Sequence, residues 1–111
     1  MKEIIIAFDI DGTIWGNALG SRVEGNSLNL PVAHLMEILS KYMKNTKIIV
    51  WSGGGKEYAQ SIVDKFGLGK YVHSCHDKHL YDDTIYGKVD IAFDDQHEFS
   101  LADKNLIVRM K

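Results

Sequence analysis

Three short stretches of this chain hold residue types that can do chemistry, and each follows an apolar run. The first is Asp9 and Asp11, behind Ile4-Ile5-Ile6-Ala7-Phe8 and ahead of Gly12-Thr13. The second is Ser52-Gly53-Gly54-Gly55, behind Ile48-Ile49-Val50-Trp51. The third is Asp94-Asp95, behind Ile91-Ala92-Phe93. Short apolar runs of this kind read as buried strands, and ionised carboxylates at their ends cost free energy unless a metal or partner offsets them. Gathered carboxylates repel one another. A hard divalent cation removes that repulsion, and Mg²⁺ takes oxygen ligands completed by water or phosphate oxygens. Asp9, Asp94 and Asp95 are therefore candidate Mg²⁺ ligands. The same cation would let an anionic phosphoryl group approach a carboxylate, so that Asp9 could attack phosphorus and form an aspartyl-phosphate. Asp11 has the chemistry to protonate the leaving oxygen and later to activate water. Ser52, followed by backbone N–H groups free of side chains at a helix start, suits an anion. A glycine run alone is as readily a flexible loop; its place after a buried strand favours phosphate. A cation bridging nucleophile and phosphate is also needed, and Lys88 and Lys78 are the candidates. Lys88, just ahead of the third acidic stretch, is the preferred one.

These groups need a scaffold, and the apolar pattern supplies it. Ile4 to Phe8 is the first strand. Gly12 to Leu30 is a loop with a short hairpin near Gly20 or Gly25. Pro31 starts a helix with Val32, Leu35, Ile38, Leu39 and Tyr42 on its inner face, ending near Lys44-Asn45. The second strand, Ile48 to Trp51, runs into the glycines. A second helix spans Lys56 to Phe66, with Tyr58, Ala59, Ile62, Val63 and Phe66 inward and Gly67 as its cap. Tyr71 to His73 is read as the third strand, Val89 to Phe93 as the fourth and Leu106 to Val108 as the last. Glu98 to Asp103 is read as one helical turn. Ser74 to Lys88 is polar and shows no clear period. Alternating strands and helices imply right-handed crossovers and a mainly parallel sheet. The expectation is one α/β domain over residues 1–111, a Rossmann-like three-layer sandwich with strand order 3-2-1-4-5. That order sets the first and fourth strands side by side, so the acids meet at the edge where strand order reverses.

These residues resemble the haloacid dehalogenase-like hydrolase superfamily. Its hallmark, an apolar strand followed by Asp-x-Asp-Gly-Thr, is matched by Asp9-Ile10-Asp11-Gly12-Thr13. Ile48 to Gly53 is similar to its second motif and Ile91 to Asp95 to its fourth. Its third is a lysine upstream of the fourth, and Gly87-Lys88 is similar to the form in small members. The motifs follow the family order from Ile4 to Asp95. The resemblance implies that Asp9 is the nucleophile and a metal ligand. It makes Asp11 the general acid/base, with its backbone carbonyl on the metal. Ser52, aided by Gly53, would bind the phosphoryl group, with Thr13 counted among the substrate-binding residues, and Lys88 would stabilise it. Asp94 would hold Mg²⁺ with Asp95 assisting. An acid two residues after the nucleophile favours phosphatases over dehalogenases. The expected activity is thus Mg²⁺-dependent hydrolysis of a phosphomonoester through an aspartyl-phosphate on Asp9. The chain has no room for a cap domain. Capless members act on larger substrates through open sites, or borrow a lid from another subunit of a homo-oligomer. The segment between the third and fourth strands is also short, so its helix is reduced or missing.

Other readings carry less weight. His73, Cys75, His76 and His79 invite zinc, but their spacing fits no strong zinc pattern, and Asp77, Asp82 and Asp83 suggest a solvated loop. His97 reads as a surface histidine. Trp15 either lines the pocket mouth or packs beneath the loop, and Met36 and Met43 read as core. Lys+Arg 13 against Asp+Glu 15 gives a net charge of −2, which argues against a broad nucleic-acid footprint but leaves a nucleic-acid end open as substrate. Hydrophobic residues at 45% argue against disorder. One cysteine, no apolar run long enough to cross a membrane and no leader-like start point to a cytoplasmic protein. Two alternatives stay open: a weakly catalytic module that binds Mg²⁺ and a phosphorylated ligand, and a phosphoacceptor receiver domain. Against the receiver, its acceptor lies on a mid-chain strand, where this chain has Ser52.

Overall fold

Hydrophobic periodicity turns into structure along the expected lines in the first two-thirds of the chain. The computed structural model describes residues 2–16, 28–95 and 102–108. The elements run β1 (Ile4–Asp9), α1 (Leu30–Tyr42), β2 (Thr46–Ser52), α2 (Lys56–Lys65), β3 (Ser74–Asp77), α3 (Asp83–Tyr86), β4 (Ile91–Asp94) and β5 (Lys104–Ile107). Pro31 stands in the first turn of α1, where its missing N–H costs nothing. Gly67 follows α2 with φ 66°, as its cap position requires. The five strands form one parallel sheet in the order β3-β2-β1-β4-β5, as expected.

Successive side chains alternate across the sheet, and the two faces are covered unequally. Ile6, Phe8, Ile48, Val50 and Cys75 meet Val32 and Met36 of α1 and Ala59, Ile62 and Val63 of α2. Ile5, Ala7, Ile49, Trp51, Val89 and Ala92 form the other face, against which Tyr81 and Ala102 pack. Topology explains the division. Right-handed crossovers that step the same way lie on the same face, so α1 and α2 share one side. The return from β3 to β4 steps back across the sheet and covers the other side, and there it carries only the single turn α3. Among the described residues, the expected third layer is therefore a loop rather than a helix layer.

Three strand expectations shift, the simplest being β5, which runs Lys104–Ile107 rather than Leu106 to Val108. Tyr71 to His73 is not a strand: the Tyr71 N–H donates to Leu68 in a turn, and His73 donates to Ile48 just before the ladder starts. β3 is the polar stretch Ser74–Asp77, pairing Ser74 with Ile49 and Ser52 with Asp77. As an edge strand it buries only Cys75 and His76, so its sequence shows no long apolar run. β4 begins at Ile91 rather than Val89, because Asp90 terminates the ladder there. The Ile5 N–H donates to Asp90 Oδ2 at 2.9 Å, and the Asp90 N–H donates back to the Ile5 carbonyl. The hairpin expected near Gly20 or Gly25, and most of the turn expected over Glu98–Asp103, lie outside the described residues. No helix among the described residues is long and apolar enough to cross a membrane.

Candidate active site

β1 lifts Asp9 to the carboxyl edge of the sheet, where it is 6% exposed. The chain then turns. The Ile10 carbonyl accepts the N–H groups of Thr13, Ile14 and Trp15, and fully buried Ile10 and Ile14 pin the turn to the core. Gly12 adopts φ 79° inside it, a conformation that a side chain resists. This turn sends Asp11 outward to solvent. Thr13, expected at the substrate, is fully enclosed, and its Oγ1 has no hydrogen-bond partner, so it presents no atom to a ligand.

β1 pairs with β4 from Ile6 to Phe8, and Phe8 stacks on Phe93 at 4.7 Å. That register carries Asp94 and Asp95 up beside Asp9. Carboxylate oxygens of Asp9, Asp94 and Asp95 all lie within 4.8 Å of one another. Among the described residues this is the only His, Cys, Asp or Glu cluster with metal-holding geometry. An all-oxygen donor set of this kind suits Mg²⁺, and it brings together the three side chains expected at the metal; the Asp11 side chain faces solvent, where its expected part at the metal was through the backbone carbonyl.

The lysine is where sequence and structure part. Lys88 is exposed and pairs with Asp103 at 2.7 Å. It lines a groove of about 420 Å³ with Trp51, Tyr81 and Val89, away from the acids. The reason is strand direction. Lys88 precedes β4 and so lies at its amino end, whereas Asp94 ends it. Lys78 follows β3 directly and lands at the correct edge. Its backbone N–H donates to the Ser52 carbonyl, and its Nζ sits 2.7 Å from both Asp9 Oδ1 and Asp94 Oδ2. Burial pulls the Lys78 ammonium down, but Asp9 and Asp94 outweigh it and hold it above the usual lysine range. At Asp9 burial wins: it pushes the carboxyl from 3.8 up to about 7, against Lys78 and with the help of Asp94 and Asp95. A divalent cation among these acids would act in the opposite sense.

Ser52 ends β2, 2% exposed, and its Oγ accepts the Gly54 N–H at 2.9 Å. The hydroxyl proton is then left to donate to an anion. Gly53 is exposed beside it, and a side chain there would meet His79 Nε2 at 3.1 Å. Sequence reasoning missed Tyr58, which helical period assigned to the inner face of α2. The ring does face inward, but its hydroxyl donates to Asp11 Oδ1 at 2.6 Å and accepts from Trp15 Nε1 at 3.4 Å. Burial first, then the bond to Asp11, push the Tyr58 hydroxyl up to about 12, so it remains a donor. Trp15 packs on Phe66 with the Lys65 ammonium 4.6 Å from its ring; most of the loop it was expected to pack beneath lies outside the described residues.

The histidines and cysteine do not assemble. Cys75 joins the helix-side core, and burial raises its thiol to about 11. His76 packs against Tyr81 and Tyr86, with Ser74 Oγ at 2.7 Å from its Nε2. Neighbours along a strand face opposite ways, so the two share no site. His97 lies outside the described residues. Against known proteins, no family model, no curated protein and no solved structure matches the chain.

Proposed function

We propose that this chain is a Mg²⁺-dependent phosphomonoester hydrolase, a capless member of the haloacid dehalogenase-like superfamily, working through an aspartyl-phosphate on Asp9. The observation that carries the reading is the convergence of Asp9, Lys78, Asp94 and Asp95 beside Ser52 at one sheet edge. Asp9, Asp94 and Asp95, with the Asp11 carbonyl, would hold the cation, which would neutralise charge as an anionic phosphoryl group approaches. An Asp9 oxygen attacks phosphorus, and the bond to the leaving oxygen breaks with its electron pair going to that oxygen. Asp11 supplies the proton. Asp11 then takes a proton from water, whose oxygen attacks phosphorus and releases inorganic phosphate and the Asp9 carboxylate. Ser52 and the Gly53 backbone steady the phosphoryl oxygens, and the Lys78 ammonium offsets charge between nucleophile and phosphate.

An outward-facing Asp11 suits a site open to large phosphorylated substrates, or one closed by another subunit. The test is hydrolysis of a panel of phosphomonoesters with Mg²⁺ and with chelator, using Asp9→Asn as control. Metal-dependent turnover that Asp9→Asn abolishes is expected. Full activity in Asp9→Asn would refute the mechanism. Binding of Mg²⁺ and phosphate without any turnover would favour a binding module instead.

A further inference from the structure

We propose that Tyr58 is a positioning residue for Asp11, holding one carboxylate oxygen so that the other faces the leaving group; this rests on the hydrolase reading above. An acid on a solvent-exposed turn has rotamer freedom, and proton transfer needs it fixed within hydrogen-bond reach of the leaving oxygen. Tyr58 supplies that restraint. Its hydroxyl lies 2.6 Å from Asp11 Oδ1, in the short range of bonds to a carboxylate. The direction of the bond is settled by Trp15. An indole N–H can only donate, so at 3.4 Å it donates to the Tyr58 oxygen. The single hydroxyl proton is then committed to Asp11 Oδ1, and Oδ2 is left for the substrate.

The ring is seated with equal economy. It lies against Gly54, where an added Cβ would come within 3.1 Å of Tyr58 Cδ2. It sits on α2 beside Ala59 and about one turn before Ile62 and Val63, which bury the helix against the sheet. The loop offered to phosphate and the residue orienting the acid are thus packed as one unit. The Tyr58 hydroxyl donates its one proton to Asp11, so it acts through Asp11.

The leaving group provides the test. A p-nitrophenolate departs with little help from a proton, whereas an alkoxide needs one. Tyr58→Phe keeps the ring and removes only the hydroxyl. It should lower kcat on an alkyl phosphate about tenfold to a hundredfold while lowering kcat on p-nitrophenyl phosphate no more than about threefold. In an Asp11→Asn background the same substitution should add nothing, because the two act as a unit. Equal losses on the two substrates, or a loss additive with Asp11→Asn, overturn the positioning role and leave the hydrolase reading standing. A wild-type protein inert on both substrates overturns the hydrolase reading and this role with it.

Discussion

Replacing Lys78 by methionine keeps most of the buried stem and removes the charge that sits between two acids. Each ammonium–carboxylate contact is 2.7 Å long, which corresponds to about 6 kcal/mol of attraction at an effective dielectric of about 20. Desolvation of the ions cancels much of that. Lys78, Asp9 and Asp94 have side chains only 10%, 9% and 15% exposed, so water gives little screening. What remains after the substitution is a cluster whose oxygens lie within 4.8 Å, where each pair of charges repels by at least about 3.5 kcal/mol at the same dielectric. Proton uptake relieves part of this, since Asp9 already titrates near 7. The expected net loss in chelator near about pH 8 is about 3 kcal/mol, at the low end for a broken buried pair. The loss should shrink near about pH 5, where a proton replaces the missing charge. Urea unfolding followed by circular dichroism measures it. Added Mg²⁺ should stabilise Lys78→Met more than wild type. Exposed Lys88, treated identically, should give no measurable change. A Lys78→Met protein within about 0.5 kcal/mol of wild type in chelator would refute the electrostatic account of the site.

Two further outcomes follow from the same geometry. Asp9 binds its proton more tightly folded than unfolded, so its contribution to metal-free stability is full below 3.8 and lost as pH rises through about 7. Mg²⁺ must displace that proton at lower pH; the rise in Tm on adding Mg²⁺ should be larger near about pH 8 than near about pH 5.5, and equal rises would contradict the shift. Asp90→Ala strands the Ile5 N–H at the entry to the central strand and should cost about 1–2 kcal/mol in urea melts. Asp90→Asn keeps an acceptor and should recover most of it; equal losses in both would remove the hydrogen bond as the cause.

Much of this was legible because apolar residues announce central parallel strands. Ile4 to Phe8 and Ile48 to Trp51 are buried on both faces, and their runs are continuous. Alternation and handedness pointed to a parallel sheet; the order 3-2-1-4-5 was expected as the one that sets Asp9 beside Asp94. β3 was hidden because an edge strand with one neighbour tolerates Ser74, His76 and Asp77. The lysine was misjudged for a vectorial reason. Closeness in sequence to Asp94 suggested Lys88, but a residue ahead of a parallel strand lies at the far end of it, roughly 20 Å away for six extended residues. A lysine just past β3 shares the edge of the acids. Tyr58 was invisible to periodicity, which assigns a side chain to a face but says nothing about where the tip of an amphipathic ring ends. Among the described residues the second sheet face has no helix layer beyond the single turn α3, because the return from β3 to β4 is short.

The acids belong to two stretches of chain that meet late in the sequence. Asp9 and Lys78 are carried by the contiguous run of neighbours β1, β2 and β3, while Asp94 and Asp95 arrive on β4, which pairs with β1 from the other side. The site therefore straddles a seam, and the Lys78 ammonium is a non-covalent stitch across it. Anything that occupies the acid cluster grips both sides of that seam at once. A ligand held there would tie β4 to β1 through its own bonds, and its binding free energy would add to the stability of that pairing.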